Sequence, residues 1–140
     1  MKMVLLDTNV LSEVLRPRPS PAVIERLLRF TSRTLFASAV TRFELRFGAA
    51  LRPDAPVFWS RLQRELLPLV TWLPVSEAVS TRAGDIAAAQ RLAGRPSGSL
   101  DPLIAATALT RGVPLATRNV QHFERIDGRE VHNWFDPPAD

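Results

Sequence analysis

Five short strand-like runs, separated by stretches with apolar residues at helical spacing, constrain this chain more than any other feature. The runs are Met3–Leu6, Leu35–Val40, Val70–Val75, Val113–Ala116 and Glu130–Trp134. Most are nearly continuous in apolar residues rather than alternating, as expected of strands buried on both faces. Between them, the residues predict helices over 10–15, from Pro21 onward, over 41–51, from Asp54 onward, over 77–93 and over 101–111. Val23, Leu27 and Phe30 fall at helical spacing, as do Phe58, Leu62 and Leu66. Ser20-Pro21, Asp54 and Asp101-Pro102 mark helix starts, and Gly94 and Gly112 mark helix ends. For the first helix, Thr8 or Asn9 is the expected cap. Strands alternating with helices imply a parallel sheet covered on both sides, so the expected class is α/β with three α/β/α layers.

At 140 residues, 46% hydrophobic and 23% charged, the chain has the material for one ordinary domain. That domain is expected over residues 1–135, with Asp136–Asp140 as a disordered tail. Glycine content also predicts a mobile loop over Gly94–Gly98. Without cysteine, neither a disulfide framework nor a thiolate metal site can form. No apolar run reaches the roughly 20 residues of a membrane span, and Asp7 interrupts the first run too early for a secretion signal. A cytoplasmic protein is expected. All 18 basic residues except Lys2 are arginine, against 14 acids, for a formal charge of +4. Arginine's planar fork suits phosphate, which admits nucleic acid as a partner.

In open α/β sheets, ligands bind beyond the carboxyl ends of the strands. Asp7 ends the first strand, Glu44 follows the second, and Asn119 follows the Val113–Ala116 strand by three residues. Asp101 opens the helix leading into that strand. Each has a purely structural alternative. Asp7 could bind nearby amides, Thr41-x-x-Glu44 could form a capping box, Asp101 could be an N-cap, and Asn119 a turn residue.

Spacing shifts the balance for two of them. Glu44 shares a helical face with Phe47, Gly48 and Leu51, and Asp101 shares one with Ile104, Ala105 and Ala108. Both acids therefore head apolar stripes expected to face the core. A mid-helix glycine costs roughly 1 kcal/mol against alanine, so close packing is expected at Gly48. Two carboxylates ~5 Å apart repel by about 3 kcal/mol at an effective dielectric near 20, which a cation would relieve. Oxygen donors without histidine or cysteine favour Mg²⁺ or Mn²⁺.

Four segments in this order and spacing resemble the PIN-domain family, and within it the VapC (FitB-like) toxins of bacterial toxin–antitoxin pairs. They are Leu6-Asp7-Thr8-Asn9-Val10-Leu11, Ser38-x-x-Thr41-x-x-Glu44-Leu45-x-x-Gly48, Asp101-x-x-Ile104-Ala105-Ala106-x-Ala108 and Thr117-Arg118-Asn119-x-x-x-Phe123. The resemblance implies a Mg²⁺- or Mn²⁺-dependent ribonuclease whose pocket is built from Asp7, Glu44, Asp101 and Asn119. Its products would carry a 5′-phosphate and a 3′-hydroxyl. It further implies an RNA substrate such as tRNA or rRNA, a cognate VapB-type antitoxin and a homodimer. Thr8 would steady the Asp7 loop or touch phosphate, and Arg118, with Arg42 and Arg46, could clamp the RNA backbone. The sequence departs from the family at His122, where many relatives carry an acid; this weakens the case for a second metal, and His122 reads as a surface residue.

Two other readings compete. One is a nuclease-like module that binds RNA or protein without cleaving; three converging acids argue against it. The other is a phosphatase or phosphate receiver with Asp7 as nucleophile. It is weakened by Asn9 standing where a second acid is needed and by the lack of a lysine partner.

Overall fold

The computed structural model describes residues 2–95, 100–123, 126, 128 and 130–137. Its strands are β1 (Val4–Leu6), β2 (Leu35–Ser38), β3 (Thr71–Leu73), β4 (Leu115–Ala116) and β5 (Val131–His132), all parallel, in the order β3-β2-β1-β4-β5. The helices are α1 (Thr8–Glu13), α2 (Pro21–Leu27), α3 (Ala39–Ala50), α4 (Ala55–Glu65), α5 (Glu77–Leu92), α6 (Asp101–Arg111) and α7 (Val120–Phe123). Successive strand side chains alternate between faces, and the core divides accordingly. Val4, Leu6, Leu35, Ala37 and Ala116 pack with Val10, Leu11, Val23, Leu45 and Leu62 on one side. Leu5, Phe36 and Leu115 pack with Ile104, Ala105, Ala108 and Phe123 on the other. The expected three layers are present, with α5 seated on α6 through Val79, Ala83 and Ala106.

Several boundaries differ from the sequence expectation. Asp7, not Thr8 or Asn9, caps α1, its carboxylate accepting the Thr8 N–H at 2.8 Å. β2 stops at Ser38 because the Ser38 hydroxyl accepts the Val40 N–H and starts α3 two residues before Thr41. Asp54 occupies the cap position of α4 but makes no capping bond; its carboxylate holds the Arg52 guanidinium instead. β3, β4 and β5 are shorter than their apolar runs, and α7 follows the Thr117–Asn119 turn, where no helix was expected. Gly94, at φ 71°, does end α5, and Gly112, at φ 75°, ends α6. Residues 96–99 of the expected mobile loop, and 138–140 of the expected tail, lie outside the described residues. At the start of that tail, the Arg26 guanidinium donates to the carbonyl of Asp136, the first tail residue, and to that of Trp134 just before it.

Candidate active site at the carboxyl edge of the sheet

Chain connections leave the sheet in opposite directions on either side of β1 and β4, which opens a crevice at their carboxyl ends. Register fills it. Leu6 pairs with Ala116, so Asp7 and Thr117 stand side by side one residue beyond the paired strands. The Asp7 N–H donates to the Ala116 carbonyl at 2.8 Å, holding this edge in register. Asp7 is buried at 5% exposure, and its oxygens are divided between two tasks. Oδ1 caps α1 through the Thr8 N–H, while Oδ2 accepts the Thr117 hydroxyl at 2.7 Å and the Asn9 amide at 3.1 Å. The Asn119 N–H in turn donates to the Thr117 hydroxyl.

Glu44 is reached from the other side. The Thr8 hydroxyl lies 2.6 Å from Glu44 Oε1 and 3.0 Å from the buried Thr41 hydroxyl. A hydroxyl has one proton to donate. The shorter, charge-assisted contact takes it, so the Thr41 hydroxyl donates to Thr8. The Thr41–Glu44 capping box is therefore not formed; Ser38 has already capped the helix, and both side chains are free to turn toward Thr8.

Burial pushes the Asp7 carboxyl above its ordinary range, and the charge of Asp101 adds to the rise, against the bonds from Thr117, Thr8 and Asn9. Glu44 is raised by burial and then by the charges of Asp7 and Asp101, against the Thr8 bond. The charge of Asp101 thus reaches both Asp7 and Glu44, and that of Asp7 reaches Glu44. Among the described residues, no arginine or lysine forms an ion pair with any of them. Asp101 stands at the first position of α6 and leaves the cap position to Leu100; its carboxylate meets His122 Nδ1 at 3.1 Å. Its companions Ile104, Ala105 and Ala108 are buried, as their spacing predicts.

A hard divalent cation suits this donor set: oxygen ligands, mutual repulsion and, among the described residues, no arginine or lysine paired with them. Among the described residues no three acid or histidine side chains close into a metal cage. An ion of the Mg²⁺ type, which keeps several waters and takes one or two carboxylates, needs no such cage.

The remaining sequence candidates are disposed differently. Asn119 is exposed, and its main chain rather than its amide contacts the Asp7 cluster. Arg118 donates its N–H to Asn9 Oδ1, but its guanidinium lies 3.7 Å over the Phe135 ring. Arg42 and Arg46 lie over the half-buried Trp72 and Trp59. The expectation that the Glu44 stripe faces the core fails. Phe43, Phe47 and Leu51 are 58%, 59% and 71% exposed, and the buried stripe of α3 is Val40, Thr41, Leu45 and Ala49. Nothing lies within 4 Å of where a Gly48 Cβ would sit, so close packing does not explain that glycine. Sequence reasoning missed Thr117 and Asn9 as partners of Asp7. A hydroxyl at the end of the strand neighbouring Asp7 was the available signal, but using it required the strand order.

The PIN domain family model matches residues 4–129. The chain is 36% identical to the VapC ribonuclease Y4jK of Sinorhizobium fredii, over 96% of this chain and 99% of that protein. It is 35% identical to the toxin FitB of Neisseria gonorrhoeae, over 96% and 100% of the two lengths. A chain of the crystal structure of FitAcB from Neisseria gonorrhoeae superposes with a TM-score of 0.85 at 36% identity, covering 95% of this chain and 99% of that one. Motif order, sheet topology and full-length similarity agree, and the chain belongs to the PIN-domain family, in its VapC/FitB group.

Proposed function

We propose that this chain is a divalent-metal-dependent endoribonuclease toxin that hydrolyses RNA phosphodiester bonds, with Asp7, Glu44, Asp101 and Asn119 as its site. The observation that carries the reading is that the Asp101 charge reaches both Asp7 and Glu44, and the Asp7 charge reaches Glu44, with no arginine or lysine paired to any of the three among the described residues. It stands in a chain similar end to end to a protein named a ribonuclease. Asp7 and Asp101 would hold Mg²⁺ or Mn²⁺, with Glu44 and Asn119 binding directly or through water. When bound, that ion lowers the pKa of a water and neutralises charge on the phosphate in flight. Glu44, steadied by Thr8, orients the attacking water in line with the leaving 3′-oxygen. Thr117 and Asn9 favour the ionised form of Asp7 against its burial and fix its orientation. Arg118 sits beside the site as a contact for the RNA backbone, with Phe135 holding its guanidinium flat.

RNA such as tRNA or rRNA is the proposed substrate, and the cytoplasm the proposed compartment. Among the described residues, no helix is long and apolar enough to cross a membrane. A VapB-type antitoxin and a second copy of the chain are the proposed partners, and the exposed Phe43, Phe47 and Leu51 supply apolar surface for one of them. The phosphate-receiver alternative loses ground because both Asp7 oxygens are engaged and the residue is buried.

The test is cleavage of total cellular RNA by antitoxin-free protein, with Mg²⁺ or Mn²⁺ and with chelator, beside Asp7→Asn. Discrete metal-dependent fragments, absent in the variant, support the reading. Folded protein that cuts nothing with either metal turns it toward a binding module.

A further inference from the structure

We infer that the guanidinium of Arg118, laid on the ring of Phe135, is the floor of a nucleobase subsite on which one unpaired base of the RNA stacks. This rests on the ribonuclease reading above and adds a base contact to the metal and phosphate contacts there. The guanidinium carbon lies 3.7 Å from the centre of the Phe135 ring, the separation of two flat groups in contact. One face of the guanidinium is thereby covered. Arg118 is exposed, and among the described residues no carboxylate or carbonyl takes any of its guanidinium N–H groups. A planar cation with one face filled and the other open is a surface on which unpaired RNA bases stack.

The C-terminal segment is tied down so as to hold the ring in place. The Phe135 N–H donates to Asn133 Oδ1 at 2.9 Å. On either side of Phe135, Arg26 on α2 donates to the carbonyls of Trp134 and Asp136 at 2.7 and 2.6 Å. Trp134 is 5% exposed and packs on Phe30, with ring centres 5.5 Å apart. The main chain of Arg118 is fixed as well. Its N–H donates to Asn9 Oδ1 at 3.1 Å, and the amide of that same asparagine donates to Asp7 Oδ2 at 3.1 Å. A base on this platform thus belongs to a nucleotide beside the phosphate at the acids. A phosphate contact is satisfied by charge and tolerates a moving side chain, whereas stacking needs a plane held at a fixed tilt. Phe135 supplies that plane and leaves the in-plane N–H groups for the RNA backbone. A base stacked on protein has left its own helix, so the subsite selects looped or single-stranded RNA over duplex.

The experiment measures binding of the full-length protein to a fluorescein-labelled adenylate octamer and to an abasic ribose-phosphate octamer. Fluorescence anisotropy reads the affinity, with chelator present to prevent cleavage. The two probes carry the same phosphates, and only the first has bases to stack. The native chain should bind the adenylate octamer about tenfold more tightly than the abasic one. Arg118→Lys keeps the charge and loses the plane, so it should bind the abasic octamer as the native chain does and lose the preference for adenylate. Phe135→Leu should bring the same loss, and Phe135→Trp should retain the preference. The double variant Arg118→Lys, Phe135→Leu should be no worse than either single one, because the pair acts as a unit. Where Phe135→Leu does not fold, as judged by circular dichroism, the exposed Arg118→Lys decides alone. Three results overturn the inference: equal binding of both octamers by the native chain, binding of neither, or a preference that survives Arg118→Lys. Cleavage of total cellular RNA by the same protein then separates the two readings. If it still cuts, only the base subsite falls; if it cuts nothing, the ribonuclease reading falls with it.

Discussion

The Thr8 hydroxyl donates to Glu44 Oε1 at 2.6 Å, across 36 residues of sequence, and is itself held by the hydroxyl of Thr41. One threonine thus joins the loop after β1, where Asp7 lies, to the acid on α3. Thr8→Val keeps the shape and removes the donor, leaving the buried Thr41 hydroxyl without its acceptor. The expected cost is about 1 kcal/mol of stability, read by urea denaturation. Metal-dependent RNA cleavage should fall by roughly tenfold because Glu44 is no longer aimed.

Asp7→Asn removes the most buried carboxylate of the cluster. Cleavage should drop by more than about 100-fold, since the charge proposed to hold the ion is gone. Stability should change by no more than about 1 kcal/mol. Relief from Asp101 favours the variant, while the new amide faces the Asn9 amide that donates to Asp7 in the native chain. Loss of the circular dichroism signal in this variant would assign Asp7 to folding instead.

The pH dependence has a defined sign. Asp7 and Glu44 are raised in the folded chain by burial and by their neighbours' charges. Between the ordinary carboxylate range and those raised values, the folded state binds more protons than the unfolded. The resulting stability is fully present below the ordinary range and is lost as pH rises through the raised values. Without metal, the melting temperature of the native protein relative to Asp7→Asn should therefore rise on going from about pH 7.5 to about pH 5. Added Mn²⁺ should stabilise the native protein more at the higher pH, where it displaces no protons.

Thr117→Val tests the strand-edge pair. It removes the hydroxyl that donates to Asp7 Oδ2 and accepts the Asn119 N–H. With Thr117 fully buried, the change should cost about 1–2 kcal/mol in urea denaturation. Asp7 should become harder to ionise, and Mn²⁺ affinity, read by titration, should fall about 10–100-fold.

Gly48→Ala should stabilise the free chain by about 1 kcal/mol. The residue lies within α3, and a Cβ there meets nothing within 4 Å. A rise of several degrees in melting temperature is expected. A fall would mean that something covers this face of α3 in solution.

Local sequence alone determined the class of fold and singled out the acids proposed for the site. Continuous apolar runs interrupted by helical spacing leave a covered parallel sheet as the economical arrangement, and a charge directly after such a run, as at Asp7, ends the strand at the ligand-binding edge. The stripe under Asp101 was legible because Ile104, Ala105 and Ala108 are buried where their spacing puts them. Other features could not be read locally. Ser38 and Thr41 are both competent caps three residues apart, and only the end of β2 selects Ser38; the face of α3 that packs is that of Val40, Thr41, Leu45 and Ala49, while Phe47 and Leu51 face outward. The partners of the acids are remote: Thr117 is 110 residues from Asp7, and His122 is 21 from Asp101. Their meeting depends on β4 lying beside β1 and on α7 packing against α6. Periodicity reports which face of an element is apolar. It carries no record of which element that face will meet, and at this site the neighbouring element supplies the hydrogen bonds.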